Sequence, residues 1–246
     1  MEEHFKRLAN EKGIKIDMDK INDPNFDPFR DKKNEEQRKI NEAIRYRDKR
    51  IRDEVFKDIP ERYKGKSMQW LMDNYEGDEF YKAWVKCVKC INDIDTIDKG
   101  LYLQGDTGLG KTSLLAVMAQ VLYDYKKKSI YYATEEIFKD KMVATQKDGS
   151  TKTADDVIKE IARNEIVLVD EWGQNESYFM IRQLKNLLDE LNNRGHLLFV
   201  TSNYTYPELI NKYKAKNPDD KKYQQLIDRL LEATEFHEIK GKSFRI

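Results

Sequence analysis

Apolar positions are sparse before Pro60 and gather into dense runs after it. Residues 1–33 alternate charges with single apolar residues and end in NDPNFDPFR. There Pro24 and Pro28 forbid a continuous helix and leave Phe26 and Phe29 as anchors. A linker pinned by two aromatics and a partner-docking segment both fit this stretch. Over residues 34–57, Ile40, Ile44, Ile51 and Val55 repeat on one narrow stripe at the 3.6-residue period, which predicts a helix. Residues 60–99 carry helical patterns around Trp70, Leu71, Tyr75, Phe80, Trp84, Val85 and Ile91, and most of these side chains are expected in the core.

Beyond residue 100 short continuous apolar runs alternate with helical ones. LYLQ (101–104), SIYYAT (129–134), IVLVDEWG (166–173), LLFVTSNY (197–204) and FHEI (236–239) read as strands. Residues 135–163 read as helical segments around a polar break, TQKDGST. Residues 177–193 form an amphipathic helix on Phe179, Ile181, Leu184, Leu187, Leu188 and Leu191, with Gly195 suited to its C-terminal cap. Strands that are apolar throughout must be covered on both faces, so the expected fold is α/β: a parallel five-stranded sheet flanked by helices. The expected division is a helical N-terminal appendage over residues 1–57 and an α/β domain over 58–246.

The first strand runs into GDTGLGKT, a Gly-rich turn that opens a helical pattern: Gly105, Asp106, Thr107, Gly108, Leu109, Gly110, Lys111, Thr112, then Ser113. Strand, glycine turn and helix in this order form a phosphate-binding loop. The glycines let backbone N–H groups approach phosphate oxygens, and the helix N-terminus adds its partial positive charge. Lys111 would reach the β/γ-phosphates and the Thr112 hydroxyl would bind Mg²⁺. The expected ligand is a nucleoside triphosphate, with some of the upstream aromatics beside its base.

Composition narrows the remaining choices. The 246 residues are 37% charged, yet 45 basic side chains meet 45 acidic ones, so net charge predicts no polyanion partner. Only local clusters can, and residues 37–52 hold seven basic side chains (Arg38, Lys39, Arg45, Arg47, Lys49, Arg50, Arg52) against Glu42 and Asp48. Such a run is a solvated helix face, a contact to a phosphate backbone or a dock for an acidic protein. No apolar run approaches a membrane span and the polar N-terminus is no signal peptide, so no membrane association is expected and the default location is cytoplasmic. Cys87 and Cys90 make a lone C-x-x-C with no third and fourth ligand nearby, and read as two reduced thiols on a helix.

Asp170 and Glu171 fall where an apolar strand runs out, at the carboxyl edge where open α/β sheets bind ligands. Behind a phosphate loop, one carboxylate can hold Mg²⁺ and the other activate the attacking water. Asn203 ends the next strand, where an amide could orient that water or serve only as turn chemistry.

GDTGLGKT, the strand-borne DE, TSN on the following strand and IDRL near the C-terminus resemble the motif order of AAA+ ATPases. The leader IPERYKGKS and compact C-terminus are similar to the DnaC/DnaI/IstB clade, which includes bacterial and phage helicase loaders. The resemblance covers about residues 56–246. It implies that Lys111 and Thr112 are Walker A, Asp170 and Glu171 Walker B, and Asn203 sensor 1. Arg229 matches an arginine finger acting on ATP in a neighbouring subunit, and Arg245 is a sensor 2 candidate. The implied cofactors are ATP and Mg²⁺, and the implied partners are a replicative DNA helicase, single-stranded DNA and further copies of the chain packed head to tail, in a ring or helical filament. Two features depart from that pattern: few residues follow Asn203, so the usual helical lid is missing or reduced, and the N-terminal region lacks the Cys/His zinc module of some loaders. The clade's single-strand-binding insertion maps to residues 135–163, with Lys139, Lys141, Lys147, Lys152 and Lys159, and with Tyr131, Tyr132 and Phe138 as stacking candidates. An IstB-like transposition ATPase shares every motif; a small-molecule P-loop kinase and a nucleotide-gated adaptor are the alternatives of other classes.

Overall fold

A computed structural model describes residues 30–216 and 221–244, with side chains from Glu35 onward. The segment around Phe26 and Phe29 and the sensor 2 candidate Arg245 lie outside the described residues. The chain divides after Glu54 into two units. Helix α1, Arg30–Val55, supplies all the described residues of the first, and its Ile40, Ile44 and Ile51 are exposed.

The second unit opens with a short 3₁₀ turn (Glu61–Tyr63) and two helices, α2 (Met68–Asn74) and α3 (Asp78–Asn92). Strands and helices then alternate: β1 (Gly100–Gln104), α4 (Lys111–Asp124), β2 (Ile130–Thr134), α5 (Glu135–Ala144), α6 (Ala154–Ile161), β3 (Ile166–Trp172), α7 (Tyr178–Arg194), β4 (Leu197–Ser202), α8 (Tyr206–Lys216), α9 (Lys222–Ala233) and β5 (Thr234–Glu238). The strands form one sheet in the order β2-β3-β4-β1-β5, and every pairing is parallel.

Local chemistry sets the helix ends. Ser67, Thr134, Thr153 and Ser177 each accept a backbone N–H at a helix start, and Thr153 closes a capping box with Asp156. Gly195 ends α7 at φ 66°, a left-handed conformation that a side chain would resist.

Two apolar clusters cover the two faces of the sheet. One packs Leu101, Leu103, Leu168 and Phe199 beneath α2, α3 and α4; the other packs Tyr102, Val167, Val169 and Val200 beneath α5 to α9. Alternation along the strands sorts the residues between them. The same double cover corrects one sequence expectation: Tyr132 and Phe138 are 2% and 0% exposed, so they are core residues and present no ring for base stacking. Tyr131 is partly buried, with the Lys141 ammonium 4.5 Å above its ring. Cys87 and Cys90 are free, buried thiols on α3.

On β5, His237 is half-buried and its Nε2 has no hydrogen-bond partner. Burial lowers its pKa first and Lys86 adds to that, while Glu79 and Glu235 oppose it. Unfolded His therefore takes up a proton at a higher pH than folded His237. That contribution to stability is present above the unfolded pKa of about 6.5 and is lost as pH falls below it. Denaturant unfolding of His237→Gln is expected to fall less steeply than wild type between neutral and mildly acidic pH. Equal slopes would assign the acid sensitivity elsewhere.

Candidate nucleotide site

The carboxyl ends of β1, β3 and β4 lie side by side, because β4 is inserted between the other two. The loop after β1 turns at Gly110, φ 79°, just ahead of α4. A Cβ there would come within 2.6 Å of the Phe80 ring, so glycine is required both by conformation and by space. At Gly108 a Cβ would strike the Ser243 hydroxyl. Leu109 and Ser113 turn inward: Leu109 is 2% exposed, and the Ser113 hydroxyl donates to the Gly110 carbonyl at 2.7 Å. Their contribution to the loop is backbone, while Asp106 and Thr107 are exposed.

Lys111 is 7% exposed. Its ammonium donates to the Gly105 carbonyl at 2.6 Å, the Asp106 carbonyl at 2.8 Å and Oδ1 of Asn203 at 2.9 Å. The lysine of the loop and the amide at the end of β4 are thus in direct contact.

Asp170 is 2% exposed and held by three hydroxyls. Thr112 donates to its Oδ1 at 3.2 Å, Thr201 donates to the same oxygen, and Tyr132 donates to Oδ2 at 3.1 Å. Burial raises the carboxyl's pKa, and the three hydroxyls pull it back toward the ionised form.

Glu171, the next residue, is exposed, and its φ is 59°. The cause lies in the register. β3 and β4 pair Val169 with Val200 and then Trp172 with Ser202, so β3 carries one extra residue. Strict alternation would send residue 171 to the face of Val167 and Val169. The bulge instead gives that place to Trp172, 0% exposed in the same cluster, and turns Glu171 out at the sheet edge.

A cavity of about 290 Å³ joins these parts, lined by Lys111, Thr112, Glu171 and Asn203 on one side and by Arg62, Tyr63, Trp70, Tyr75 and Phe244 on the other. Tyr75 stacks on Phe80 with ring centroids 4.8 Å apart, and Phe244 meets Tyr75 edge-on at 5.1 Å. Phe244 is placed by the stretch after β5: the Ile239 N–H donates to the Gln104 carbonyl at 2.7 Å, and the Phe244 N–H donates to the Gly108 carbonyl at 3.0 Å. Some of the aromatics upstream of the loop, none singled out, were expected beside a base, and Trp70 and Tyr75 are among those that line the cavity. The part played by residues 239–244 had no signal in the sequence.

Arg229 does not line the cavity. It lies on α9, where it donates to Asp189 of α7 at 2.9 Å and to Glu232 at 2.6 Å, with 42% of its side chain exposed. The structure therefore brings together the loop, Asp170, Glu171 and Asn203, and leaves Arg229 apart. Thr201 and Tyr132, which complete the setting of Asp170, were not singled out for the site from sequence. TSN at a strand end offered the signal for Thr201.

Among the described residues no group of three or more His, Cys, Asp or Glu gathers into a metal site. Thr112 and Asp170 instead offer two hard oxygen donors beside a glycine cradle. Mg²⁺ suits such a place, since it keeps several waters and leans on one or two side chains plus substrate phosphates. The residues present fit that ion.

Sheet order, phosphate loop, strand-end acids and strand-end amide together define a P-loop NTPase fold of the AAA+ type. The chain belongs to the IstB-like ATP-binding protein family, which it matches over residues 53–246. It is 31% identical over 121 residues to the chromosomal replication initiator protein DnaA of Mesoplasma florum, a match covering 46% of this chain and 25% of that protein. The chain thus spans about a quarter of that relative's length. The DnaC helicase loader superposes with a TM-score of 0.60 at 16% identity, covering 74% of this chain and 100% of that one. DnaA bound to AMPPCP and single-stranded DNA superposes at 0.57 and 15% identity, covering 75% of this chain and 51% of that one. Both likenesses are of fold. No described helix is long and apolar enough to cross a membrane.

Proposed function

We propose that this chain is a Mg²⁺-dependent ATPase that loads a replicative ring helicase onto single-stranded DNA at the start of replication. The observation that carries the ATPase part is the convergence of Lys111, Asn203, Thr112 and Asp170 at one sheet edge, with Glu171 turned out beside them by the bulge. In this assignment backbone N–H groups of the Gly105–Ser113 loop and the Lys111 ammonium bind phosphates. Asp170 and Thr112 hold Mg²⁺, which supplies charge neutralisation at the phosphates when bound. Glu171 takes the proton of the attacking water, and Asn203 orients that water. Lys111 now rests on carbonyls and on Asn203, so phosphate arrival would exchange these partners for oxygens of opposite charge.

The replication assignment is supported by the sequence similarity to a replication initiator and by the fold shared with a helicase loader. We assign residues 58–246 to the ATPase and residues 1–57 to partner binding. The support for the latter is a basic helix with an exposed isoleucine stripe, a surface suited to an acidic, apolar groove. Single-stranded DNA is assigned to residues 135–163. Lys139, Lys152 and Lys159 there pair with Glu136, Glu160 and Asp155 on exposed surface, where such pairs are weak and phosphates can displace the acids. A fold relative has been solved with single-stranded DNA. An IstB-like transposition ATPase is the second reading, favoured by the family match itself, and a need for duplex DNA and a transposase would mark it.

For the chemistry, Lys111→Ala is expected to abolish ATP-dependent function. Glu171→Gln should still bind MgATP but turn over at least about a hundredfold more slowly, having kept the shape and lost the base. Equal loss of nucleotide binding in both would remove Glu171 from the catalytic role, and phosphate transfer to an acceptor other than water would make the chain a kinase.

Binding to single strands should weaken steeply with salt and show little preference for sequence. Lys139, Lys141 and Lys147 changed together to Glu should lower the slope of log affinity against log salt by about two. The same change at Arg45, Arg47 and Arg50 should lower it less. A reversed order in fluorescence anisotropy titrations would move the DNA contact to α1.

Arg229 is assigned to a neighbour's ATP. Its present partners are the exposed Glu232 and the half-buried Asp189, acids on the same protein surface that a phosphate could replace, and a finger supplied in trans is worth roughly 10³–10⁵ in rate. Packing that delivers it is head to tail, giving rings or helical filaments. Mixtures of Arg229→Ala and Lys111→Ala chains should regain part of the ATPase activity each lacks alone. No recovery at any ratio, with mixed assembly confirmed, would leave Arg229 a surface residue.

A further inference from the structure

Thr201 lies on β4 two residues before Asn203, is 1% exposed, and has no role in the chemistry assigned above. Its one hydroxyl makes two bonds of opposite sense: it donates to Oδ1 of Asp170 and accepts the Glu171 N–H at 3.0 Å. A hydroxyl carries one proton and two lone pairs, so it can satisfy both at once. Each bond answers a need created elsewhere in the fold. Asp170 is nearly fully buried, and its Oδ1 is shared with Thr112, the other candidate Mg²⁺ donor. Glu171 sits at φ 59° in the extra-residue bulge, so the ladder to β4 passes it by and its N–H must find a partner outside the strand pairing. A non-glycine residue keeps such a conformation only where its surroundings over-determine it.

We propose that Thr201 is a positioning residue that sets both acids of the site: it orients the Asp170 carboxylate toward Thr112 and locks the backbone turn that aims Glu171 at the cavity. This rests on the nucleotide-site assignment above. One hydroxyl thereby fixes the geometry between the metal-holding acid and the water-activating acid, two groups that adjacent positions on a regular strand would send to opposite faces.

The test compares Thr201→Val, which keeps the shape and loses the hydroxyl, with Thr201→Ser, which keeps the hydroxyl. Three quantities are read: kcat and KM for ATP, the Mg²⁺ concentration giving half-maximal binding of a fluorescent ATP analogue, and Tm. Groups that act by orienting metal ligands are typically worth 10–100-fold. Thr201→Val is expected to lower kcat by about tenfold or more and to raise the Mg²⁺ requirement severalfold. KM should change less than kcat. Thr201→Ser should stay close to wild type in both. If Thr201→Val does not fold, Thr201→Cys, of similar size with a weak donor, takes its place in the comparison with Ser. Wild-type kcat and Mg²⁺ requirement in the hydroxyl-free variant would overturn the proposal. So would equal impairment of the Ser and Val variants at equal Tm, because packing and not the hydroxyl would then be responsible. A wild-type chain that shows no Mg²⁺-dependent ATP binding fails the site assignment itself, and this inference falls with it; that result is read before any variant is compared.

Discussion

A carboxylate that is 2% exposed has lost nearly all its water, and the protein must replace what water gave it. Around Asp170 the replacement comes from three hydroxyls on three separate elements: Thr112 on α4, Tyr132 on β2 and Thr201 on β4. Those bonds tie the phosphate loop's helix, the sheet edge and the strand next to β1 to a single side chain. Displacing any one element takes a donor from a buried carboxylate, so the requirement to satisfy Asp170 favours keeping the three in register. The neighbouring bulge follows from the same place in the sheet, where β3 must deliver one acid inward, one outward and then return Trp172 to the core.

The architecture was legible because β1, β3 and β4 are apolar on both faces and most flanking helices on one. IVLV and LLFV are short, apolar throughout and rich in branched or aromatic residues, which favours a covered strand, and Gly195 ends α7 where the pattern needs a left-handed residue. The loop residues were legible because their chemistry is tied to fixed spacing. The extra residue at Glu171 was not, since glutamate, unlike Gly, Asn or Asp, is not a residue type that announces a positive φ. Tyr132 was misjudged for a related reason. A tyrosine in an alternating strand can face water or core, and only the pairing of β2 with β3, which places Tyr132 beside Leu168 and its hydroxyl on Asp170, decides between them. The Arg229–Asp189 contact joins residues 40 apart on different helices, a separation at which local pattern carries no information.

Charge is arranged with the same economy of distance. Overall neutrality conceals a surface on which lysine or arginine commonly pairs with an acid three or four residues away on the same helix, as at Lys139–Glu136, Lys159–Asp155 and Arg194–Glu190. These pairs support helices by a few tenths of a kcal/mol each and leave little net field. The site cations differ in kind: Lys111 is buried among carbonyls and an amide, where an arriving anion would find it poorly screened.

The pairing of β1 has a consequence for the order in which this protein can be assembled as it is made. Its two neighbours are β4 and β5, with Tyr102 opposite Val200 on one side and Phe236 on the other. A nascent chain that has emerged as far as Gly195 already contains the whole of GDTGLGKT, yet neither strand that flanks the loop's own strand exists. The glycine turn is then a flexible segment on an unpaired strand, without Asn203 to meet Lys111 and without residues 239–244 to pack against Gly108. Contacts this distant along the sequence form slowly, because the intervening chain must be ordered before they are gained. Nucleotide in the cell would meet a competent pocket only after β5 has threaded in beside β1, which makes ligand capture a late event in the life of each newly synthesised molecule.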